Sequence, residues 1–258
     1  MTIRIRNIPK LAWFGWLAPA RFVCVACSRR VGGFLPYRDG HRLLSDAMRE
    51  LELNGSDLDR YECPRCGAND RFRHLLMYFD AGTIFGKLKG KRILHFAPET
   101  RLVPLIERAG PSRYVLADIA PSDARMSQVD MTAMSFEDAA FDVVIANHVL
   151  EHVDDLGAAL RELARVLAPD GFAILQTPYS RRLRSTFADP GVDSDSARRV
   201  MYGQEDHVRL FGADIVSRIV EGSGLTARVS THAELLPGID PLRHGVNGDE
   251  PFFLFAKT

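Results

Sequence analysis

Residues 141 to 178, FDVVIANHVLEHVDDLGAALRELARVLAPDGFAILQTP, leave this chain few folds to choose from. Phe141 to Ala146 is an apolar run broken only by Asp142, as a parallel strand covered on both faces requires. A polar turn follows, and from Asp154 the apolar residues Leu156, Ala159, Leu160, Leu163 and Val166 recur at helical spacing. Pro169-Asp170-Gly171 ends that helix, and Phe172 to Gln176 reads as the next buried strand. Strand, helix and strand in this order make a parallel βαβ unit, hence an α/β fold.

Around this unit the pattern repeats. Residues 91–97 and Tyr114 to Asp118 read as earlier strands, and Val129-Asp130-Met131-Thr132 precedes a stretch near Phe136 read as helical. Downstream, residues 208–222 read as a helix, with strands at Leu225–Thr231 and Pro251–Lys257. The Gly-, Pro- and Asp-rich segment between them, Leu235 to Glu250, reads as a loop.

All four cysteines fall in two pairs, Cys24-Val-Ala-Cys27 and Cys63-Pro-Arg-Cys66-Gly67. The spacing lets two thiolates reach one ion, and the glycine relieves the tight turn that aims backbone N–H groups at sulfur. Four soft ligands suit tetrahedral Zn(II), in a closed and therefore structural site. Two disulfides, a redox pair and an iron–sulfur cluster are the alternatives. Arg38 to Asp59 is an insertion between the pairs, and Leu43, Leu44, Ala47, Met48 and Leu51 predict one amphipathic helix within it.

Net charge is zero, which argues against a polyanion-binding surface over the whole molecule. Residues 1–80 are mildly basic, with 13 Lys/Arg against 9 Asp/Glu, so nucleic acid stays open without support. Arg4, Arg6 and Lys10 precede a short apolar run carrying Trp13 and Trp16. We expect an ordered segment that buries both indoles. A secretory signal and a basic, Trp-rich helix lying on a membrane surface are the rivals. No run reaches the ~18 apolar residues of a membrane span.

Phe141-Asp-Val-Val to Val149-Leu-Glu-His-Val153, followed by Arg165-Val-Leu-Ala-Pro-Asp-Gly171, resembles the class I S-adenosylmethionine (SAM)-dependent methyltransferases over about residues 90–258. The resemblance implies a Rossmann-like, seven-stranded doubly wound sheet, whose last strand is antiparallel and inserted beside the sixth. With the small zinc-binding module the chain divides at residue 80, into module (1–80) and methyltransferase domain (81–258).

Phe96 and Ala97 then floor the methionine pocket, and Glu99 holds its ammonium. Asp118, 21 residues beyond Ala97, grips the ribose hydroxyls, and Ile119 covers the adenine. Asp130 accepts the adenine amino group, the Met131 N–H reads the ring, and the backbone at Asn147 and His148 meets the ammonium. A helix cap is the plain alternative for Asp118, and a solvated turn for Asp130. The first turn departs from the family pattern, with His95 at the acidic position and Ala97, Glu99 and Arg101 where glycines are usual.

His152 and His207 are the candidates for general base or acceptor contact; His152 could equally brace its loop. His148-Val-Leu-Glu151-His152 also has the spacing of inverzincin peptidases, a reading set aside inside an otherwise complete SAM fold. Whether these residues bind a second metal stays open. SAM and the thiolate pairs point to the cytoplasm. The chain further resembles a bacterial subgroup with a CPxCG…HFAPE…HVLEHV series, often found with surface-glycan genes. It implies a glycan, lipid-linked or small-molecule acceptor, between the zinc module and the Ser180–Gly212 lid. An RNA base methyltransferase with a zinc knuckle and a non-catalytic SAM-binding scaffold are the alternatives.

Overall fold

The computed structural model describes residues 8–258, so Arg4 and Arg6 of the expected basic segment lie outside the described residues. Its centre is a seven-stranded sheet. The strands are β1 (Arg92–Phe96), β2 (Arg113–Asp118), β3 (Met126–Gln128), β4 (Phe141–Ala146), β5 (Leu167–Ile174), β6 (Thr226–Ala227) and β7 (Leu254–Ala256). They lie in the order β6-β7-β5-β4-β1-β2-β3. Strands β1 to β5 are parallel, and β7 runs antiparallel between β6 and β5. This is the expected doubly wound sheet with its inserted last strand.

Residues Ile93, Leu94, Val143, Val144, Ile145 and Ala146 are all 0% exposed, because helices or loops cover both faces. Each large apolar side chain so buried stabilises the fold by about 1.5–3 kcal/mol. Helix α1 (Asp70–Ala81) buries Phe72, Leu75 and Phe79 against one face, while α3 (Leu156–Val166) and α4 (Ile215–Ser223) cover the other. A shorter helix, α2 (Val103–Arg108), follows β1. Asp155 caps α3 by accepting the N–H of Ala158.

Several local expectations change. The helix α3 ends at Val166 and β5 starts at once, so Pro169-Asp170-Gly171 lies inside the strand. It forms an irregularity, where Asp170 takes a positive φ of 60° and the register slips between Phe141 and Val143. No helix forms near Phe136. Arg165 instead binds the carbonyls of Met134 and Phe136, and the Phe136 ring packs edge-on against Phe141.

The helix expected from residue 208 begins only at Ile215. Backbone groups of 208–211 are already taken by Glu151, Phe187 and Ser180, which holds that segment extended. The module helix is likewise split. A 3₁₀ turn at Gly40–Leu43 is separated from the helix Asp46–Glu50 by Ser45, whose hydroxyl caps the second piece. Short helices at His232–Leu235 and Pro241–His244 interrupt the expected loop, and β6 and β7 are shorter than read.

Burial of the indoles is overturned: Trp13 and Trp16 are 54% and 56% exposed. Their turn, Trp13–Leu17, presents Phe14 to Gly33 and Gly15 to Pro64 instead, which sends both indoles outward. Among the described residues no helix is long and apolar enough to cross a membrane.

The N-terminal region is tied to the sheet domain by Arg73, which is 0% exposed. Its guanidinium donates to the carbonyls of Arg60, Tyr61 and Ala68 on one side and His244 on the other. Leu53–Asn54 also pairs with Tyr179–Ser180, which brings the insertion over the segment that follows β5.

Candidate functional site

The order of a doubly wound sheet reverses at β1, whose neighbours are β2 and β4. Chains leaving the carboxyl ends of β1 and β4 must diverge, and the crevice between them is where such folds bind ligands. Ala97 and His148 sit at these two exits, both with positive φ, 43° and 55°. Glycine adopts that conformation freely, whereas a side chain costs of order 1–3 kcal/mol, and such strain concentrates at functional sites. The glycine-free first turn therefore keeps the backbone path of a glycine turn.

Between the exits lies a cavity of about 420 Å³ lined by Ala97, Glu99, Asn147 and His148, with Arg71 and Glu250 opposite. A hydrogen-bond chain fixes Glu99. Its Oε2 accepts from His95 Nε2 at 2.8 Å and its Oε1 from Asn147 Nδ2 at 2.9 Å. His95 Nδ1 in turn accepts from the Tyr114 hydroxyl at 2.8 Å. Burial pushes Glu99 up, but these donors outweigh it and hold the carboxyl below its usual value. The network continues through Gln176, whose N–H donates to Asn147 Oδ1 and whose side chain reaches the Pro251 carbonyl. Glu250 behaves like Glu99: burial raises it, and His74, His148 and Arg71 pull it lower overall. The cavity thus offers two carboxylates and a guanidinium, a donor set that suits the zwitterionic end of an amino acid.

The other expected cofactor residues stand at neighbouring strand ends, outside this cavity. Asp118 ends β2, and its Oδ1 accepts the Ala120 N–H at 2.9 Å, leaving Oδ2 free. Ile119 is 62% exposed beside it. Asp130 accepts from the N–H and hydroxyl of Thr132, the turn role weighed against adenine recognition. Phe96 and Met131 are buried in the core below.

A second cavity, about 290 Å³, shares Arg71 and His148 with the first. His41 of the insertion and the flanking Tyr37 and Tyr61 line this cavity, as do Pro178, Arg199 and His207. His207 and His152 come together, with ring centroids 4.8 Å apart. Each donates from Nδ1 to a backbone carbonyl, His207 to Tyr202 at 3.1 Å and His152 to Asp206 at 3.0 Å. Carbonyls only accept, so each ring is left with its lone pair on Nε2. Burial holds His207 below the usual imidazole value, which keeps that lone pair free at neutral pH.

The four cysteine sulfurs lie within 4.8 Å of one another, and all four are free. Cys24 ends the strand Phe22–Cys24, which Arg29–Val31 pairs with across the Cys27 turn. In the second pair the Arg65 N–H points at the Cys63 sulfur, and Gly67 takes φ 71°. Four converging sulfurs with a backbone donor fit a four-thiolate Zn(II) site.

Sequence reasoning missed Arg71, Glu250 and Gln176. Arg71 follows the second cysteine pair, ahead of the region where the resemblance begins, and Glu250 closes a segment read as loop. Neither position carries a spacing signal.

Next to Arg71, Asp70 is 1% exposed; its Oδ2 accepts the Asp57 N–H and its Oδ1 has no partner among the described residues. Burial pushes it up to about 7. The folded state therefore favours the protonated acid. That stability is full below the unfolded value near 3.9 and is lost as pH rises through 7. Asp70→Asn keeps an acceptor without the charge. Its melting temperature is expected to fall less between pH 5 and pH 8 than that of the wild type; parallel curves would exclude Asp70 as the source.

The methyltransferase domain family is matched over residues 70–228. A malonyl-[acyl-carrier protein] O-methyltransferase of Halorhodospira halophila is 30% identical over 127 residues, which is 47% of this chain and 41% of that protein. The uncharacterized protein YafE of Escherichia coli is 46% identical over 48 residues, 19% of this chain and 23% of its own. The chain thus spans less than half the length of either relative. Among solved structures, a protein of Galdieria sulphuraria assigned as a sarcosine dimethylglycine methyltransferase superposes with a TM-score of 0.51. It is 14% identical, and the match covers 76% of this chain and 87% of that one.

Proposed function

The chain belongs to the methyltransferase domain family, and on that premise we propose that it transfers the methyl group of SAM to an oxygen of a glycan, lipid-linked or small-molecule acceptor. The observation that carries this reading is the pair of cavities meeting at Arg71 and His148, one with an amino-acid-like donor set and one beside paired histidines. The 30% identical relative is an O-methyltransferase, which supports an oxygen acceptor. SAM supplies an electrophilic methyl on a sulfonium. In this reading Glu99 takes the ammonium and Arg71 the carboxylate of its methionine end, over the backbone of Ala97, Asn147 and His148. The free Oδ2 of Asp118 takes the ribose hydroxyls, while Ile119, Asp130 and the Met131 N–H meet the adenine. Phe96 supports this floor from the core.

The acceptor then enters between the insertion and the 178–207 segment. Its oxygen lone pair forms the new bond to the methyl carbon as the sulfur–carbon bond breaks, and the electron pair of that bond stays on sulfur. The hydroxyl proton passes to the lone-pair nitrogen of His207 or His152. Further parts of the proposal are a structural Zn(II) on Cys24, Cys27, Cys63 and Cys66, folding a module that ends near residue 80, and a cytoplasmic setting. Exposed Trp13 and Trp16 are the surface it would rest on a membrane.

Charge-assisted hydrogen bonds from ribose to Asp118 are each worth about 1.5–3 kcal/mol. Asp118→Ala is therefore expected to weaken SAM binding at least tenfold in calorimetry, with an unchanged melting curve. Wild-type protein that gives no heat with SAM would sink the cofactor assignment.

A further inference from the structure

We propose that Glu151, His152 and His207 bind one divalent transition-metal ion at the wall of the acceptor cavity. One ligand atom from each of the three lies within 4.8 Å of the other two. Two of those side chains are almost wholly buried, Glu151 at 1% and His207 at 3% exposure. Buried polar atoms are nearly always hydrogen-bonded, yet Glu151 Oε2 and His207 Nε2 have no partner among the described residues. An unpaired carboxylate oxygen facing an unpaired imidazole nitrogen is costly unless something cationic sits between them.

The surroundings are those of a ligand set. Both imidazoles donate Nδ1–H to backbone carbonyls, of Asp206 and Tyr202, and this leaves the lone pair of each neutral ring on Nε2. Such carbonyl partners fix the tautomer and raise the basicity of metal-bound histidines. The backbone is fixed as well. The Arg209 guanidinium donates to the carbonyls of Leu150, Val153 and Asp154, and the Val208 N–H donates to Glu151. The turn carrying two ligands is thereby clamped to the irregular segment carrying the third.

Two nitrogens and one carboxylate oxygen favour Mn(II), Fe(II), Co(II) or Zn(II) over Mg(II) and Ca(II), which prefer oxygen alone. Of the three, His207 lines the second cavity, so an ion held there would lie beside it. This inference deepens the proposed function and rests on its placement of the acceptor there. A hydroxyl bound to the ion would lose its proton more easily, and the histidines would act as ligands instead of as the base.

Mn(II) is the probe, because thiolates select softer ions and the four-cysteine cluster competes poorly for it. Full-length, zinc-loaded protein is expected to remove one equivalent of the aqueous Mn(II) electron paramagnetic resonance signal. His152→Ala, at a partly exposed position, and the isosteric Glu151→Gln are expected to weaken that binding at least tenfold. His41→Ala, on the opposite cavity wall, is expected to bind as the wild type does. Wild-type protein that leaves the Mn(II) signal unchanged overturns the proposal, as does undiminished binding by a folded His152→Ala. SAM calorimetry on the same samples keeps the two readings apart. Mn(II) bound without SAM leaves the metal site and removes the transferase, and SAM bound without Mn(II) does the reverse.

Discussion

His207→Ala is expected to lower single-turnover methyl transfer by about 10²–10⁴-fold while leaving SAM affinity near the wild-type value. The separation of the two effects follows from position. His207 lines the second cavity, while Glu99 lines the first, to whose lining His207 does not belong. Its Nδ1–H is committed to Tyr202, so the ring has one orientation and one free lone pair to lose. His152→Ala is expected to act in the same direction, since its ring meets that of His207 edge-on. Were His152 only a brace between its turn and Asp206, its loss would lower stability and cofactor affinity together. A protein that binds SAM without transferring its methyl group would show no rate to lose. The measurement is transfer of labelled methyl from SAM into a cell extract by wild type, His152→Ala and His207→Ala. Equal transfer by all three would remove both histidines from the chemistry and leave positioning alone.

Why the sheet was legible and parts of the site were not comes down to what fixes each. Strands β1 and β4 are buried on both faces and β2 is buried at Leu116 and Ala117, so their apolar runs announce themselves, with Asp118 ending β2 and Asn147 following β4. The four cysteines carry their own spacing. Elements whose form depends on partners far along the chain were misread. Residues 208–211 were expected to be helical from the family resemblance, but Phe187 and Glu151 take their backbone groups. The Pro-Asp-Gly break ends a helix in most contexts, and here the pairing with β4 absorbs it as a kink within β5. Arg71 and Glu250 reach the first cavity from distant parts of the chain, and no local pattern joins positions so far apart. The lone-pair arrangement of His152 and His207 was likewise invisible, because it is set by the carbonyls of Asp206 and Tyr202.

Cys63→Ser is expected to abolish stoichiometric zinc and to raise amide exchange across residues 20–68 by orders of magnitude, with β1 and β4 protected as before. The module's metal would supply much of its folding free energy, since apparent values for structural zinc reach about 10–16 kcal/mol in small peptides. Its own hairpin is three residues a side, too little to hold a fold alone. The damage should nevertheless travel. Phe34 and Phe72 share one apolar cluster with Cys24, Cys63, Ile93 and Ile145, and Arg73 carries the load from Arg60, Tyr61 and Ala68 to His244. Asn69, Arg71 and Phe72, at the start of α1, line the first cavity, where the methionine end of SAM is proposed to bind. Loosening the module should therefore weaken SAM binding as well, although no cysteine touches that cavity. Elemental analysis and hydrogen exchange of wild type and variant decide the matter. Wild-type protein without zinc, its cysteines free or disulfide-linked, would overturn the assignment, and a variant with unchanged exchange would confine the metal to a role other than folding.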